Sequence, residues 1–291
     1  MKECIKELRL EEGGYPVLLK GIKNPPNPLY IQGSFDPNEN HLAVVGTRHF
    51  SEYGKLVVSR FVKDLAQAGL VIVSGLALGI DSLVHQAALE AGGKTIAVLG
   101  SGLDVIYPYS NRSLVKKIIE KGGAIISEYP LGTKPFKGNF PTRNRIISGI
   151  SLGVLVIECP EKSGAMITAR YAFEQGRKVF AVPGDIFKKN SHGTNKLIKL
   201  GARLVEKPQD ILEVFGLDEV KAESNNREVI TDEKEKLILK YLSGQQSVHI
   251  DRLIELTGLP AQEIGEILTT MEIQGKVKSL GNGYYHSLLD L

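Results

Sequence analysis

Short apolar runs recur along the first two thirds of the chain and alternate with stretches that are long enough for helices. Each run is about five residues long and rich in β-branched side chains, with apolar residues at consecutive positions. Such runs are typical of strands buried between two helical layers. The runs occupy residues 42–46, 70–75, 95–100, 124–128, 154–158, 179–184 and 202–205.

The stretches between the runs have the length and the composition of helices. Residues 52–69 and 82–93 are two examples, and Gly69 and Gly92 are typical helix-stop signals. Alternating strands and helices predict an α/β domain with a doubly wound parallel sheet and right-handed crossovers. In a sheet of this kind we expect the ligand to bind outside the carboxyl ends of the strands.

The pattern changes on both sides of this domain. Residues 13–34 are rich in Pro, Gly and Asn, which predicts an irregular strap within an N-terminal segment, 1–40, that leads into the main domain, 41–216. A polar stretch then predicts a linker at 217–230. Residues 231–291 follow as helix, strand, helix-turn-helix and a hairpin with a Gly-Asn-Gly turn, which predicts a small winged-helix domain.

The two predicted domains differ in charge. The chain of 291 residues has a net charge of +3, but residues 228–291 hold six Lys/Arg against ten Asp/Glu, a net −4, which leaves +7 on residues 1–227. A polyanionic partner is therefore expected for the main domain alone. The third helix of the winged helix carries Glu263, Glu266 and Glu272 and would repel phosphate, so we expect a protein-interaction or regulatory role there.

Composition and targeting signals indicate a soluble cytoplasmic protein. The hydrophobic content of 42% and the charged content of 24% are ordinary for a globular chain. No apolar run approaches the roughly 20 residues that span a bilayer, and the first 14 residues lack an apolar signal core. The two cysteines, Cys4 and Cys159, do not form a disulfide framework.

The strongest chemical signal is an acid-free segment, residues 129–157. It interleaves cations with aromatic rings, which suits a phosphate backbone and exposed bases, since stacking contributes ~1–3 kcal/mol per base. The alternative is a solvated basic loop whose phenylalanines belong to the core. The residues concerned are Lys134, Phe136, Lys137, Phe140, Arg143, Asn144 and Arg145.

Two further segments support an anion site. Small residues open a helix at Ser163, directly after the run at 154–158, and a helix N-terminus attracts anions, although ordinary capping by Ser163 also explains them. Residues 187–205 lack acids and carry five cations, so they either extend the basic surface or border a subunit interface.

Motifs of other nucleotide-binding classes are absent from the sequence. There is no G-x-x-x-x-G-K-[ST] loop, no G-x-G-x-x-G fingerprint after residue 45, and no Cys/His spacing for zinc. We therefore predict no cofactor and no metal. Five carboxylates lie at or just beyond strand ends: Asp81, Asp104, Glu128, Glu158 and Asp185. They either cap helices or pair with nearby arginines, or they hold a metal for phosphodiester cleavage or act on a glycosidic bond.

Taken in order, the motifs resemble the DNA processing protein A (DprA, or Smf) family over roughly residues 15–215, and the C-terminal segment is similar to the winged helix of many members. The resemblance depends on both the order and the spacing of the motifs. They are 45–48 (VGTR), 74–81 (SGLALGID), 100–104 (GSGLD) with Tyr107-Pro108, 127–130 (SEYP), 140–147 (FPTRNRII), 163–165 (SGA) and 182–184 (VPG).

The resemblance implies an extended Rossmann-like domain that binds and protects single-stranded DNA, forms a homodimer and helps to load the RecA recombinase in natural transformation, without catalysis. It implies DNA contacts from Gly46, Thr47, Arg48, Lys137, Phe140, Arg143, Asn144, Arg145, Ser163, Gly164 and Thr168, and a dimer interface with Asn195, Ile198 and Leu204. Many members carry an N-terminal helical domain, whereas about 14 residues precede Tyr15 here.

An enzymatic alternative is a nucleotide N-glycosidase that resembles the lysine-decarboxylase-like phosphoribohydrolases. Those enzymes share a P-G-G-x-G-T-x-x-E run at the start of a late helix, and here Tyr171 stands where the catalytic Glu would be. A nuclease that uses the strand-end carboxylates is a weaker alternative. The sequence therefore favours binding over hydrolysis.

Overall fold

The computed structural model describes residues 5–217, 233–242, 247–273 and 276–288. The chain divides into two compact units, 1–221 and 222–291. Apart from residue 217, the predicted linker at 217–230 lies outside the described residues, as does Cys4. The domain boundaries drawn from the sequence remain predictions.

A nine-stranded sheet forms the centre of the first unit. Its strands lie in the order β1-β2-β6-β5-β4-β3-β7-β8-β9, and all pairs from β6 to β9 are parallel. The predicted mostly parallel, Rossmann-like α/β fold is therefore confirmed. The strands are β1 (Lys6–Leu8), β2 (Leu29–Gly33), β3 (His41–Val45), β4 (Val71–Ser74), β5 (Thr95–Leu99), β6 (Ala124–Ser127), β7 (Gly153–Val156), β8 (Lys178–Ala181) and β9 (Arg203–Leu204).

Helices cover both faces of the sheet, because its strands are apolar on both faces. In β3, Ala43 and Val45 pack into the core beneath α1, α5, α6 and α7, whereas Leu42 and Val44 pack into the core with α2, α3 and α8. No helix in the described ranges is both long and apolar enough to cross a bilayer. The helices are α1 (Val17–Lys20), α2 (Glu52–Gln67), α3 (Ile80–Glu90), α4 (Arg112–Glu120), α5 (Asn139–Gly149), α6 (Gly164–Glu174), α7 (His192–Lys199) and α8 (Gln209–Phe215).

The N-terminal strap is more regular than the sequence predicts. Residues 13–34 contain α1 and β2, and β2 pairs antiparallel with β6, from Tyr30 opposite Ser127 to Gly33 opposite Ala124. Burial alternates along β2, with Leu29 and Ile31 fully inside. The prediction of an irregular strap was wrong because this period-two pattern is short and lies among prolines and glycines.

The sheet reverses its winding between β3 and β7. From β3 the chain proceeds outward through β4, β5 and β6, and it then returns to place β7 on the opposite side of β3. Val45 at the end of β3 lies opposite Val156 at the end of β7. In open α/β sheets a ligand crevice forms outside the strands at such a reversal.

The second unit has the predicted winged-helix organisation. In the described residues of this unit, three helices pack around a small core that includes Leu239, Leu253, Leu268 and Met271, and three strands lie in the antiparallel order β10-β12-β11. Lys276 and Glu235 form a buried ion pair at 2.7 Å. The elements are α9 (Glu233–Leu242), β10 (Val248–His249), α10 (Ile250–Thr257), α11 (Ala261–Ile273), β11 (Val277–Gly281) and β12 (Tyr284–Ser287).

A histidine in α3 is completely buried against β5. The Thr95 hydroxyl donates its single proton to the Ile72 carbonyl, so it accepts from Nδ1 of His85, which lies 2.7 Å away. Nε2 of His85 is buried without a partner in the described part of the chain. Burial lowers the pKa of His85 to about 3, and the positive charge of Arg143 contributes to the lowering.

We predict that His85 makes the fold sensitive to acid. The unfolded chain takes up a proton at this histidine near pH ~6.5, whereas the folded protein does so only near pH 3, so stability falls as the pH drops through this window. The free energy of unfolding can be measured with urea at neutral pH and at about pH 4.5. Between these two conditions it should fall by on the order of 2 kcal/mol more in the wild type than in His85→Asn. Equal losses in the two proteins would contradict the prediction.

Candidate nucleic-acid interface

A cavity of about 590 Å³ opens at the carboxyl ends of β3 and β7, where the winding reverses. Every DNA-contact residue predicted from the sequence lines this cavity except Arg145. The fold therefore brings predicted residues from distant segments of the chain to one cavity. The lining residues from that set are Gly46, Thr47, Arg48, Lys137, Phe140, Arg143, Asn144, Ser163, Gly164 and Thr168.

The turn after β3 forms one wall of the cavity and presents Arg48. The N–H of Thr47 donates to the Glu158 carbonyl (2.9 Å), and the Thr47 carbonyl accepts from the N–H of Ile80 (3.0 Å). A Cβ at Gly46 would lie 2.6 Å from the Ile80 side chain, so only glycine allows this approach. These contacts hold the turn in place, while the Arg48 side chain is exposed and forms no ion pair with the residues that the structure describes.

The N-terminus of α6 forms the opposite wall. The Ser163 hydroxyl accepts from the N–H of Met166 (3.4 Å), and the first N–H groups of the helix have no partners within it, which favours an anion. A Cβ at Gly164 would meet nothing closer than Asn144 Nδ2 at 4.0 Å, so the approach is open. Thr168 is only 1% exposed and donates to the Gly164 carbonyl, so it packs the wall of the cavity.

Two aromatic rings form the third side. Phe140 at the start of α5 and Tyr107 lie with ring centroids 5.6 Å apart and planes tilted by 39°. Gly100, at the end of β5, lets Phe140 pack closely, since a Cβ there would lie 3.0 Å from the ring. Half of Tyr107 is exposed, and the exposed Lys137 precedes the ring pair in the chain. This side offers π surface next to positive charge.

Arg143 is not the exposed cation that the sequence predicts. It is 4% exposed, and its Nη1 donates to the Gly75 carbonyl (2.8 Å) and also to the Val98 carbonyl. Burial lowers the pKa of Arg143 to about 10, which the negative charge of Asp81 opposes, and burial raises the pKa of Asp81. Arg143 therefore lies in the floor of the cavity and ties α5 to β4 and β5; its contact with DNA remains a prediction.

Arg145 lies outside the cavity. Its two Nη atoms each contact one carboxylate oxygen of Glu128 at 2.7 Å, and both side chains are largely buried. Arg145 and Tyr171 both line a separate cavity of about 650 Å³. Residues two apart on a helix face different directions, so the two arginines of α5 separate. The structure therefore places Arg145 apart from the other predicted residues, with its charge matched by Glu128, and its contact with DNA remains a prediction.

Each strand-end carboxylate accepts hydrogen bonds from the protein or pairs with an arginine. Asp81 and Glu128 lie beside Arg143 and Arg145, and Glu158 accepts from the N–H and the hydroxyl of Ser51. Asp104 accepts from the N–H of Gly132 (2.9 Å), and Asp185 from the N–H of Phe187 (2.8 Å). No group of three or more potential metal ligands occurs in the described ranges. These contacts favour the structural interpretation of the carboxylates.

Sequence reasoning missed several residues that line the cavity, among them His49, Tyr107 and Lys162. His49 follows Arg48 directly, and Lys162 precedes Ser163, so their positions beside predicted contacts were a usable signal. Tyr107 lies in the loop after β5, and only the fold brings its ring to Phe140.

The residues predicted for a dimer interface differ in exposure. Leu204 lies on the edge strand β9 and is 43% exposed. Ile198 packs partly against the core, and the Asn195 side chain bonds to both the N–H and the carbonyl of Gly184. Of these residues, Leu204 has the most surface to offer a second copy, and the interface remains a prediction.

Together, the fold and the site define an α/β ligand-binding protein with its cavity at the reversal point of the sheet and with a winged-helix domain. The chain belongs to the DNA recombination-mediator protein A family, whose family model matches residues 6–216. A second family model, the DprA winged helix domain, matches residues 222–283.

Curated relatives agree with this assignment. Protein Smf of Escherichia coli (strain K12) is 41% identical over 277 residues, which cover 93% of this chain and 74% of the relative. DNA processing protein DprA of Bacillus subtilis (strain 168) is 44% identical over 214 residues, covering 73% of this chain and 72% of the relative. Identity of 41–44% over most of the chain, together with the family-model match, shows that the resemblance seen in the sequence is a family relationship.

Two solved structures share the fold. DNA processing protein A from Streptococcus pneumoniae superposes with a TM-score of 0.67 at 43% identity, covering 73% of this chain and 74% of that one. DNA processing protein A from Helicobacter pylori superposes with a TM-score of 0.67 at 31% identity, covering 75% of this chain and 98% of that one. Its structure gives insights into a unique mode of single-stranded DNA binding by that protein.

We predict that Arg143→Ala destabilises the fold. The variant leaves the buried Asp81 without its counter-charge and removes the arginine donor from the Gly75 and Val98 carbonyls, and removing one partner of a buried pair costs about 3–5 kcal/mol. Urea unfolding measures the loss, and Lys137→Ala, which removes an exposed cation of the same cavity, should change stability by less than about 0.5 kcal/mol. Equal stability of the two variants would contradict a structural role for Arg143.

Proposed function

We propose that this protein binds single-stranded DNA in the cavity at the carboxyl ends of β3 and β7. The observation that carries the proposal is that one cavity combines exposed cations, a pair of aromatic rings and a helix N-terminus. Phosphates need cations and N–H donors, and unstacked bases need π surface. The groups concerned are Arg48, Lys137, Lys162, the Tyr107–Phe140 pair and Ser163.

Single-stranded rather than duplex DNA fits this arrangement. The rings reach only bases that are unstacked, because the faces of duplex bases are covered by their neighbours. The third helix of the winged helix is acidic and has no cation to place against duplex phosphates in the described residues of α11. The Helicobacter pylori relative, studied for its binding of single-stranded DNA, supports the same choice.

We propose that the protein binds DNA without catalysing a reaction on it. Tyr171, at the position of the glycosidase Glu, lines the separate cavity with Arg145. The buried Asp81 and Glu158 are engaged with Arg143 and Ser51. These positions argue against the N-glycosidase and the nuclease alternatives.

In the cell we propose that the protein acts as a cytoplasmic homodimer that protects incoming single strands and helps to load RecA during natural transformation and recombination. The description of the family as a recombination mediator supports this role. The exposed edge strand β9, which carries Leu204, supports the dimer.

The test compares binding to single-stranded and duplex oligonucleotides across a salt series, together with an assay for release of free base from nucleotides. We expect tighter, salt-dependent binding of the single strand and no turnover. Equal affinity for both DNA forms, or release of base, would overturn the proposal.

Lys137 and Phe140 should affect binding in different ways. Lys137→Ala removes one phosphate contact, so the slope of log affinity against log salt should flatten by about 0.7. Phe140→Ala removes a stacking partner and should weaken binding by ~1–3 kcal/mol with little change in slope. Fluorescence anisotropy with labelled oligothymidylate measures both effects. Lys117→Ala, which removes an exposed lysine of α4 that does not line the cavity, is the matched control and should leave both quantities unchanged.

A further inference from the structure

The turn after β8 exposes an apolar surface beside positive charge. Residues 185–189 are all exposed, with Ile186 at 70% and Phe187 at 87%. Lys188 and Lys189 follow directly. A phenylalanine that exposed is unusual on a monomer surface unless it contacts a partner.

The turn holds these side chains in a fixed arrangement. The N–H of Phe187 donates to the Asp185 carboxylate (2.8 Å), and the N–H of Lys188 donates to the Asp185 carbonyl (3.0 Å). A ring nitrogen of His192 lies 3.0 Å from the Ile186 carbonyl. The Phe187 ring is therefore presented by a hydrogen-bonded turn, which reduces the entropy lost on binding.

The same turn is joined to the cavity walls. Asn190 donates from its side chain to the His49 carbonyl (2.8 Å), next to Arg48. The Asn190 carbonyl accepts from the N–H of Cys159 (2.6 Å), in the segment that leads to Ser163. β8 is also the strand beyond β7 in the sheet. The turn is thus the next feature along the carboxyl edge, about two strand spacings, or ~10 Å, from the end of β3.

The charges near the turn favour a polyanion. The Asp185 carboxylate is used within the turn, and Glu161, on the cavity side, pairs with Lys196 at 2.9 Å. Lys188 and Lys189 are exposed and pair with no carboxylate in the described ranges. A self-contact of two copies through this turn would bring like charges together, which disfavours a second copy as the occupant.

We propose that single-stranded DNA continues from the cavity over this turn, where a base stacks on Phe187 and adjacent phosphates contact Lys188 and Lys189. This extension rests on the proposed function of the cavity. It assigns to the turn after β8 a second stacking position on the β8 side of Arg48, whereas the Tyr107–Phe140 pair lies on the β5 side. A strand bound at both positions spans the carboxyl edge from β5 to β8.

A single tryptophan tests contact directly. The protein contains no Trp, so Phe187→Trp introduces one fluorophore. Stacking of a base should quench its fluorescence when oligothymidylate of about 20 nucleotides is added. Val17→Trp, an exposed apolar position on α1, is the control and should not respond. Binding by anisotropy without quenching at position 187 would overturn the extension and leave the proposed function standing, whereas no binding at all would overturn both.

Affinity measurements test the contribution of the turn. Phe187→Ala should weaken binding of the oligomer of about 20 nucleotides by at least about fivefold and leave an oligomer of about 5 nucleotides within twofold, while Phe187→Tyr keeps wild-type affinity. Lys188→Ala with Lys189→Ala should flatten the salt slope for the long oligomer by about 1.4, and Lys117→Ala with Lys121→Ala should not.

Light scattering separates DNA contact from assembly. The Phe187→Ala protein should keep the wild-type molar mass. A lower mass together with lost affinity, or an equal loss for both oligomer lengths, would show that the ring supports an interface or the fold and would overturn the extension.

Discussion

The reversal of winding between β3 and β7 is the constraint on which the site depends. Adjacent parallel strands whose connections leave in opposite directions keep their carboxyl ends uncovered, and a crevice opens there. The turn at Gly46 can then pack directly on Ile80, and α6 begins at the other wall. Cations, rings and helix N–H groups converge because the topology brings their segments to one edge.

Positive charge near this edge is of two kinds. Arg143 and Arg145 are buried and face Asp81 and Glu128, so they join α5 to the strands around it and add little field at the surface. Arg48, together with Lys137 and Lys162, is exposed and leaves its charge available to a ligand. The buried pairs position the helix, and the exposed cations attract the anion.

Sequence patterns predicted what depends on neighbouring residues, and missed what depends on distant ones. The strands were predictable because burial on both faces requires continuous apolar runs, and the cavity followed from the rule for strand ends. The burial of Arg143 could not be predicted, because the composition around residue 143 does not reveal that Asp81 approaches from the start of α3. β2 was missed since its alternation covers five residues.

The division between buried and exposed cations has a consequence for how the family can diverge. Substitutions at Arg48, Lys137 or Lys162 act on solvated side chains, so ligand affinity can drift upward or downward while the fold keeps its stability margin. Changes at Arg143 or Arg145 threaten that margin before they alter affinity. Binding strength and fold stability therefore depend largely on different residues, although Arg48, Lys137, Lys162 and the buried Arg143 line the same cavity.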